Sequence, residues 1–337
     1  MEFIGIGDLH LTSATGSGGL ASYVSDHDRA VGLAVSRVLA YAKQNGVRNI
    51  FFYGDLCQAP RMSYIGQKVL LSILRKDFDF RIILGNHDKF GEVSSDGHSL
   101  ELIQEVGLPN VHIYEEPTLV SIDGRPVNFL PWPHAEFNPK ALNVAHVDVE
   151  GARLDSGRAV TKGSTSKATA VVGHIHTSQR VRNTYYSGTL YQTNFGEGSS
   201  KFFHHGRYSD GEWEIENIAS KPKYTLHSVE VSSVKDLRRF RATLPEKKDK
   251  HLIKLILRDG AKITPDLLHD LNVVKTQSVK TDQELALARV SDLQTGSEVE
   301  VSSDEFFEAW LDNSTASPEL KSKAKALRTS KLKALSK

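Results

Sequence analysis

Five short apolar runs each break off at a polar fragment rich in Asp, His or Asn. Phe3-Ile4-Gly5-Ile6-Gly7 runs into Asp8-Leu9-His10, and Ile50-Phe51-Phe52-Tyr53 into Gly54-Asp55. Ile82-Ile83-Leu84 meets Gly85-Asn86-His87-Asp88, residues 142–145 meet His146, and residues 170–172 meet Gly173-His174-Ile175-His176. Runs this short and apolar read as strands. Residues 26–44 separate the first two with helical periodicity: Val31, Ala34, Val35, Val38 and Ala42 repeat, Asp26 is placed to cap the start, and Gly46 follows the end. A second helix is expected over 65–74. Strands alternating with helices predict an α/β fold with a largely parallel sheet. In such sheets, functional groups lie on the loops beyond the carboxyl ends of the strands, where all five fragments fall.

Further strands are expected over 111–114, 118–122 and 127–130, with Gly124 in a hairpin turn. Residues 148–167 are rich in Gly, Ser, Thr and Arg and read as a mobile loop. Near Lys221-Pro222-Lys223 the pattern changes to strand 224–231, helix 234–243, strand 251–257 and helix 265–271. The expected layout is therefore a main domain over 1–220, a small α+β domain over 221–301 and a helical tail over 302–337. In the tail, Ser302 and Glu305 have capping-box spacing ahead of Phe306, Phe307, Trp310 and Leu311. Beyond Pro318, Leu320, Ala324, Leu327 and Leu335 share one face of an otherwise basic helix.

The fragments supply carboxylate, imidazole and amide groups, the donor set for paired divalent cations. A phosphodiester repels anionic nucleophiles and has a poor leaving group. Two cations about 3.5–4 Å apart answer both problems, which points to phosphate ester hydrolysis. Such a pair needs a shared carboxylate, and Asp55 is the best candidate. The imidazoles favour Mn²⁺ over Mg²⁺, which also remains possible. The net charge is only +1, so any nucleic-acid contact must come from local patches. Arg153, Arg158, Lys162, Lys167, Arg180 and Arg182 are candidates for DNA phosphates, with a solvated loop as the alternative. The single cysteine, Cys57, excludes an internal disulfide and reads as a buried spectator. The first residues do not read as a signal peptide, and no apolar stretch approaches the ~20 residues of a membrane span. The expected location is the cytoplasm. His27, His98, His112, His134, His204, His205, His227, His251 and His269 match no motif and are read as ordinary structural residues.

Asp-x-His, Gly-Asp, Gly-Asn-His-Asp and Gly-His-x-His in this order resemble the calcineurin-like metallophosphoesterase superfamily. Within it the chain is similar to the SbcD (meiotic recombination eleven) DNA nuclease family, in its phage or bacterial form. Ala145-His146-Val147-Asp148, and Ser187-Gly188-Thr189 followed by Phe195-Gly196-Glu197, carry that closer likeness. The resemblance covers residues 4 to about 197. It implies a metallophosphoesterase β-sandwich flanked by helices, a small α+β capping domain and a C-terminal helical tail. By matching position, Asp8, His10, Asp55 and His176 would hold one metal, and Asp55, Asn86, His146 and His174 the other. His87 would act on the scissile phosphate or leaving oxygen, with Asp88 orienting it. Where many members have His or Asp three residues after the bridging Asp, this chain has Gln58.

The resemblance further implies a Mn²⁺-dependent DNA nuclease with 3′→5′ exonuclease and single-strand endonuclease activity. It would form a homodimer through the helices near 65–74 and 100–106. An SMC-like ATPase of the SbcC type would gate it, docked by the tail through Phe306, Phe307, Trp310, Leu320 and Leu327. Two other readings stay open: another phosphoesterase, such as a phosphatase or cyclic-nucleotide phosphodiesterase, or a weakly active scaffold for the ATPase. Ser/Thr phosphatases tend to carry Glu where this chain has Asp88.

Overall fold

The computed structural model describes residues 1–14, 19–90, 97–164, 167–244, 250–258, 261 and 263–279. The whole tail expectation, including Phe306, Phe307, Trp310, Leu320 and Leu327, lies outside the described residues, as does the end of the expected second domain.

The first four strands and three α-helices build one βα layer. Strand β1 (Glu2–Ile6) leads through a long loop to α1 (His27–Gln44). Then come β2 (Asn49–Phe52), α2 (Tyr64–Leu74), β3 (Asp79–Ile83), α3 (Glu101–Val106) and β4 (Val111–Tyr114). Strands β1 to β4 are parallel neighbours. The second layer opens with the hairpin of β5 (Thr118–Ile122) and β6 (Arg125–Leu130). Asp123 and Gly124 turn it with φ of 48° and 73°, the left-handed pair a tight hairpin needs. β7 (Leu142–His146), β8 (Ala170–Gly173), β9 (Gln179–Val181) and β10 (Thr184–Tyr186) complete this sheet.

Strands β11 (Phe202–Ser209) and β12 (Glu212–Ala219) return antiparallel to the edge of the first sheet. The result is two six-stranded sheets, β12-β11-β1-β2-β3-β4 and β5-β6-β7-β8-β10-β9. The α/β class and helix-flanked sandwich expected from the sequence hold, but both sheets are mixed rather than nearly all parallel.

Side-chain alternation explains why the strands read as unbroken apolar runs. Phe3, Phe51, Tyr53 and Ile83 face the second sheet and meet Val127, Phe129, Leu142, Val144 and Val171. Ile4, Ile6, Ile50, Phe52, Phe80 and Ile82 face the helices and meet Val35, Val38, Leu70 and Ile103. Burying each such side chain stabilises the fold by about 1.5–3 kcal/mol before the ordering entropy is subtracted.

The outer face of the second sheet is covered differently. Val147, Val149, Ala152 and Val160 pack on Ala145, Ala170, Val172 and Tyr186. The Gly/Ser-rich stretch expected to be a mobile loop thus lays apolar residues onto the sheet. Its backbone is fastened by Val149 N–H to Tyr186 Oη at 2.9 Å.

Two other local expectations change. Asp26 precedes α1 without a side-chain cap bond; its carboxylate accepts from Lys223 and from Tyr224 Oη instead. The helix expected over 265–271 is a single 3₁₀ turn, Pro265–Leu267, followed by a further turn. The chain then enters a strand at Val273.

That strand belongs to a third, parallel sheet: β13 (Thr225–Val231), β14 (His251–Arg258) and β15 (Val273–Val279), with α4 (Val234–Thr243). Ser233 and Asp236 form a reciprocal capping box on α4. Val229, Val231, Leu237, Ile253 and Leu255 make its own core. Leu226 and Leu252 instead join the helix-side core of the first sheet. The side chain of Gln192 reaches β13: its amide donates to Leu226 O at 3.1 Å, and its Oε1 accepts from Leu226 N at 2.9 Å. Residues Met1–Val279 form one compact unit. Among the described residues no helix is long and apolar enough to cross a membrane.

Candidate metal centre

The carboxyl ends of β1, β2, β3, β7 and β8 face one place, and the five fragments meet there. Their backbones are unusual. Asp8, His10, Asp55 and His174 carry φ of 42°, 46°, 50° and 89°, a left-handed region that non-glycine residues rarely occupy. Such strain costs of order 1 kcal/mol per residue and clusters at functional sites. Close approach matters equally. A Cβ on Gly85 would lie 2.0 Å from Asp55 Oδ1, and one on Gly173 would lie 2.3 Å from Tyr53 O. Only glycine lets these loops come so near.

Apart from Asp155 and Glu197, which stand with His176 in a further group, the strand ends bring together two ligand-like groups: Asp8 with His10 and His176, and Asp55 with His146 and His174. Asp55 stands between them, its Oδ2 3.3 Å from His146 Nε2 and 4.0 Å from His10 Nε2. Asn86 Oδ1 lies 3.0 Å from both His146 Nε2 and His174 Nδ1. His10 Nε2 and His176 Nε2 face each other at 3.0 Å. Asp8 Oδ1 accepts from the His174 N–H at 2.9 Å, but Asp8 Oδ2 and His10 Nδ1 are buried without a partner. Buried polar atoms left this way are costly, and a cation seated among these donors would occupy the free carboxylate oxygen. All seven expected ligands are therefore brought together, in an arrangement that fits two divalent ions.

Burial and mutual contact set the electrostatics of these groups. Burial pushes the Asp55 carboxyl up, but the imidazoles of His146, His10 and His87 together hold it well below the usual carboxylate range. Burial disfavours a charged His146, yet Asp55 raises it to about 9. Burial pushes His10 down to about 3. For Asp8, burial dominates and the carboxyl is raised.

His87 sits beside this array, its ring centroid 5.1 Å from that of His10. Its backbone N–H donates to Asp55 Oδ1 at 2.9 Å. The expectation that Asp88 orients it is corrected. Asp88 is fully buried and accepts from the backbone N–H groups of Leu56, Cys57 and Gly85 and from Ser99 Oγ. Asp88 thus ties the β2 loop to the β3 loop. Burial, with Asp55 nearby, pushes its carboxyl up to about 6. The partner of His87 is the carbonyl of Gln58, 2.9 Å from Nδ1, so Nδ1–H donates and Nε2 is left for the substrate side. Because that contact uses backbone, it does not depend on the side chain at position 58.

Three residues of the site carried no role in the sequence reading. Asp148 Oδ1 lies 3.6 Å from His174 Nε2. Trp132 stacks on the His174 ring, centroids 5.2 Å apart. Its carbonyl accepts from Lys89 Nζ at 2.6 Å. Glu197 Oε1 lies 3.1 Å from His176 Nδ1. Asp148 and Glu197 fall inside fragments that carried the resemblance; Trp132 had no signal. A cavity of about 320 Å³ opens beside the centre, lined by His10, Gln58, His87, His176, Tyr191 and Asn194 among others.

The cations proposed for DNA are spread out. Arg153, Arg158 and Lys162 are exposed on the segment over the second sheet. Arg180 packs over the Tyr185 ring at 4.8 Å, and its Nε donates to Arg182 O. Arg182 lies in the β9–β10 turn, beside the start of β8 and so at the opposite end of that strand from His174.

The chain is 23% identical over 217 residues to "Exonuclease subunit 1" of Enterobacteria phage T4. This chain is a distant relative of that nuclease subunit. The match covers 58% of the chain and 61% of the relative, so the chain spans about three fifths of the relative's length. No protein-family model matches the chain.

Proposed function

We propose that the chain is a two-metal DNA nuclease subunit, Mn²⁺-dependent, with 3′→5′ exonuclease and single-strand endonuclease activity. The observation that carries the reading is the pair of ligand groups sharing Asp55, with His87 poised beside them. The relative named as an exonuclease subunit supports a nuclease over a phosphatase. In this reading Asp8, His10, Asp55 and His176 hold one ion, and Asp55, Asn86, His146 and His174 the other. Bound there, the ions supply an activated water and neutralise charge on the phosphate. His87, fixed through Nδ1 by the Gln58 carbonyl, presents Nε2 to the phosphate or the leaving oxygen. Gln58 lines the cavity where a terminal nucleotide would lie.

The third sheet is read as a cap over DNA, and residues 302–337 as the dock for an SMC-like ATPase. Arg153, Arg158, Lys162, Arg180 and Arg182 remain the proposed phosphate contacts. Apolar side chains stay exposed on α2 (Tyr64 70%, Ile65 43%) and α3 (Leu102 46%, Val106 40%), which supports a homodimer through these helices. A soluble, cytoplasmic protein is the matching location.

The test is digestion of linear duplex and single-stranded DNA with Mn²⁺, with and without the ATPase. DNA should be cut, and removal of 302–337 should abolish ATPase binding while metal binding persists. Cleavage of a chromogenic phosphomonoester but of no DNA would sink the nuclease reading.

A further inference from the structure

His176 is held at its outer nitrogen by a carboxylate more deeply buried than the carboxylates beside His146 and His27. The Glu197 side chain has no exposed surface. Its Oε1 lies 3.1 Å from His176 Nδ1 and accepts from Thr193 Oγ1 and from Asn194 Nδ2 at 2.9 Å. Its Oε2 accepts from the Thr193 N–H at 3.1 Å and from the Lys201 ammonium. Lys201 is itself 3% exposed, and its Nζ also donates to His176 O at 3.2 Å and Thr189 Oγ1 at 3.0 Å. A buried carboxylate persists only with a counter-charge and full hydrogen bonding, and this one has both.

We propose that Glu197, set in place by Lys201, is the positioning residue that fixes the ring of His176 and keeps its proton on Nδ1. This rests on the metal-centre reading above. An ionised carboxylate only accepts, so the nitrogen facing it must donate. Nε2 is then left with a free lone pair aimed at His10 and the space beside Asp8. A carboxylate behind a ligating imidazole fixes tautomer and orientation and raises its basicity.

A second carboxylate competes for the role. Asp155 Oδ2 lies 3.5 Å from the same Nδ1. It sits on the segment over the second sheet, with 28% of its side chain exposed, and accepts from Thr177 Oγ1 at 2.6 Å. The longer distance and solvent contact make it the weaker partner. Asp155, His176 and Glu197 do not form a third cation site. The Lys201 ammonium already occupies Glu197 Oε2, and Nδ1 cannot hold a proton and a cation together.

The experiment titrates Mn²⁺ into the full chain by calorimetry, with bound ions counted by electron paramagnetic resonance. Wild type, E197A, E197Q and D155A are compared, and folding is checked by thermal melting. Wild type should bind two ions. E197A should weaken one of them about 10–100-fold and leave the other unchanged. E197Q, which keeps the volume, should show a smaller loss of the same ion and carries the test if E197A does not fold. D155A should match wild type.

Folded Glu197 variants that bind both ions like wild type overturn the proposal. So does equal weakening of both ions, which marks a general structural role, or a loss seen in D155A instead. Nitrogen-15 shifts of wild-type His176 give an independent reading: a proton on Nε2 rather than Nδ1 in the metal-free protein overturns it without any variant. Wild type that binds no Mn²⁺ sinks the metal-centre reading, and this proposal with it.

Discussion

The two halves of the centre are held in contrasting ways. Around Asp55, Asn86, His146 and His174, side chains hold one another. His146 is wholly buried, and its Nδ1–H donates to Tyr53 O at 2.7 Å while Nε2 meets Asn86 and Asp55. Against one buried atom without a partner beside His174, Asp148 Oδ1, two have none around Asp8, His10 and His176. There the geometry comes from outside the group: from Glu197 behind His176, and from Asp28. Asp28 accepts from Thr12 N–H at 2.8 Å and Thr12 Oγ1 at 2.6 Å and so pins the loop that carries His10. One half is interlocked, and the other is framed. An interlocked set should keep its shape without a cation, whereas the framed set leaves Asp8 Oδ2 unpaired, the atom a cation would occupy.

Asp55 is the element common to both halves, so its removal should erase the contrast. Asp55→Ala should bind neither ion tightly and lose DNA cleavage by at least about 10⁴-fold in a Mn²⁺ digestion assay. Retention of one tight ion would show that the halves are independent. His87→Asn should leave both halves intact, with two ions counted, while cleavage falls about 10²–10⁴-fold.

Stability separates the halves directly. His146→Ala breaks satisfied buried bonds and should cost about 2–3 kcal/mol in urea unfolding without metal. His10→Ala removes a ring whose Nδ1 has no partner and whose Nε2 faces His176, and should cost at least about 1 kcal/mol less. Equal costs would break the comparison.

The frame itself is testable through Asp28. Burial pushes its carboxyl up, but bonds from His27 and Thr12 outweigh that and hold it below the ordinary range. A depressed carboxyl stabilises the fold above its unfolded value and loses that contribution as pH falls through the folded one. Asp28→Ala should therefore cost about 1–2 kcal/mol at pH 7 and progressively less below about pH 4. The smallest effect is expected at Cys57. It is fully buried beside Leu11 and Thr12, and burial raises its thiol to about 12. A thiol reagent at pH 8 should not label the native protein, and labelling should track global unfolding.

Much of the centre was legible because five of the seven expected ligands stand at or just beyond the carboxyl end of a largely buried strand. An unbroken apolar run then points at the next polar residue, and Asp8, Asp55, Asn86, His146 and His174 all follow this grammar. What escaped reading depends on other signals. β9 and β10 have three residues each, too short for any alternation to register. β11 hides its pattern because His204 and His205 are buried within it. Asp88 stands next to His87 in sequence, yet it bonds backbone amides of loops that meet only in the fold. The partner of His87 is a main-chain carbonyl, which no residue identity encodes. The hairpin-like turn at Gly124 was readable, whereas the packing of the 148–164 segment was masked by its many polar residues.

Gln192 gives the third sheet a mechanical relation to the centre. Its side-chain amide donates to Leu226 O in β13 and also to the carbonyl of Glu197 at 2.9 Å. Ser228 Oγ of β13 adds a bond to Phe195 O. The linkage works as a tie-rod: a load that shifts β13 is delivered to the residue behind His176. Nothing comparable joins the third sheet to the interlocked half among the described residues. Tension on that sheet would be felt at the framed half first, and the centre would respond to it lopsidedly.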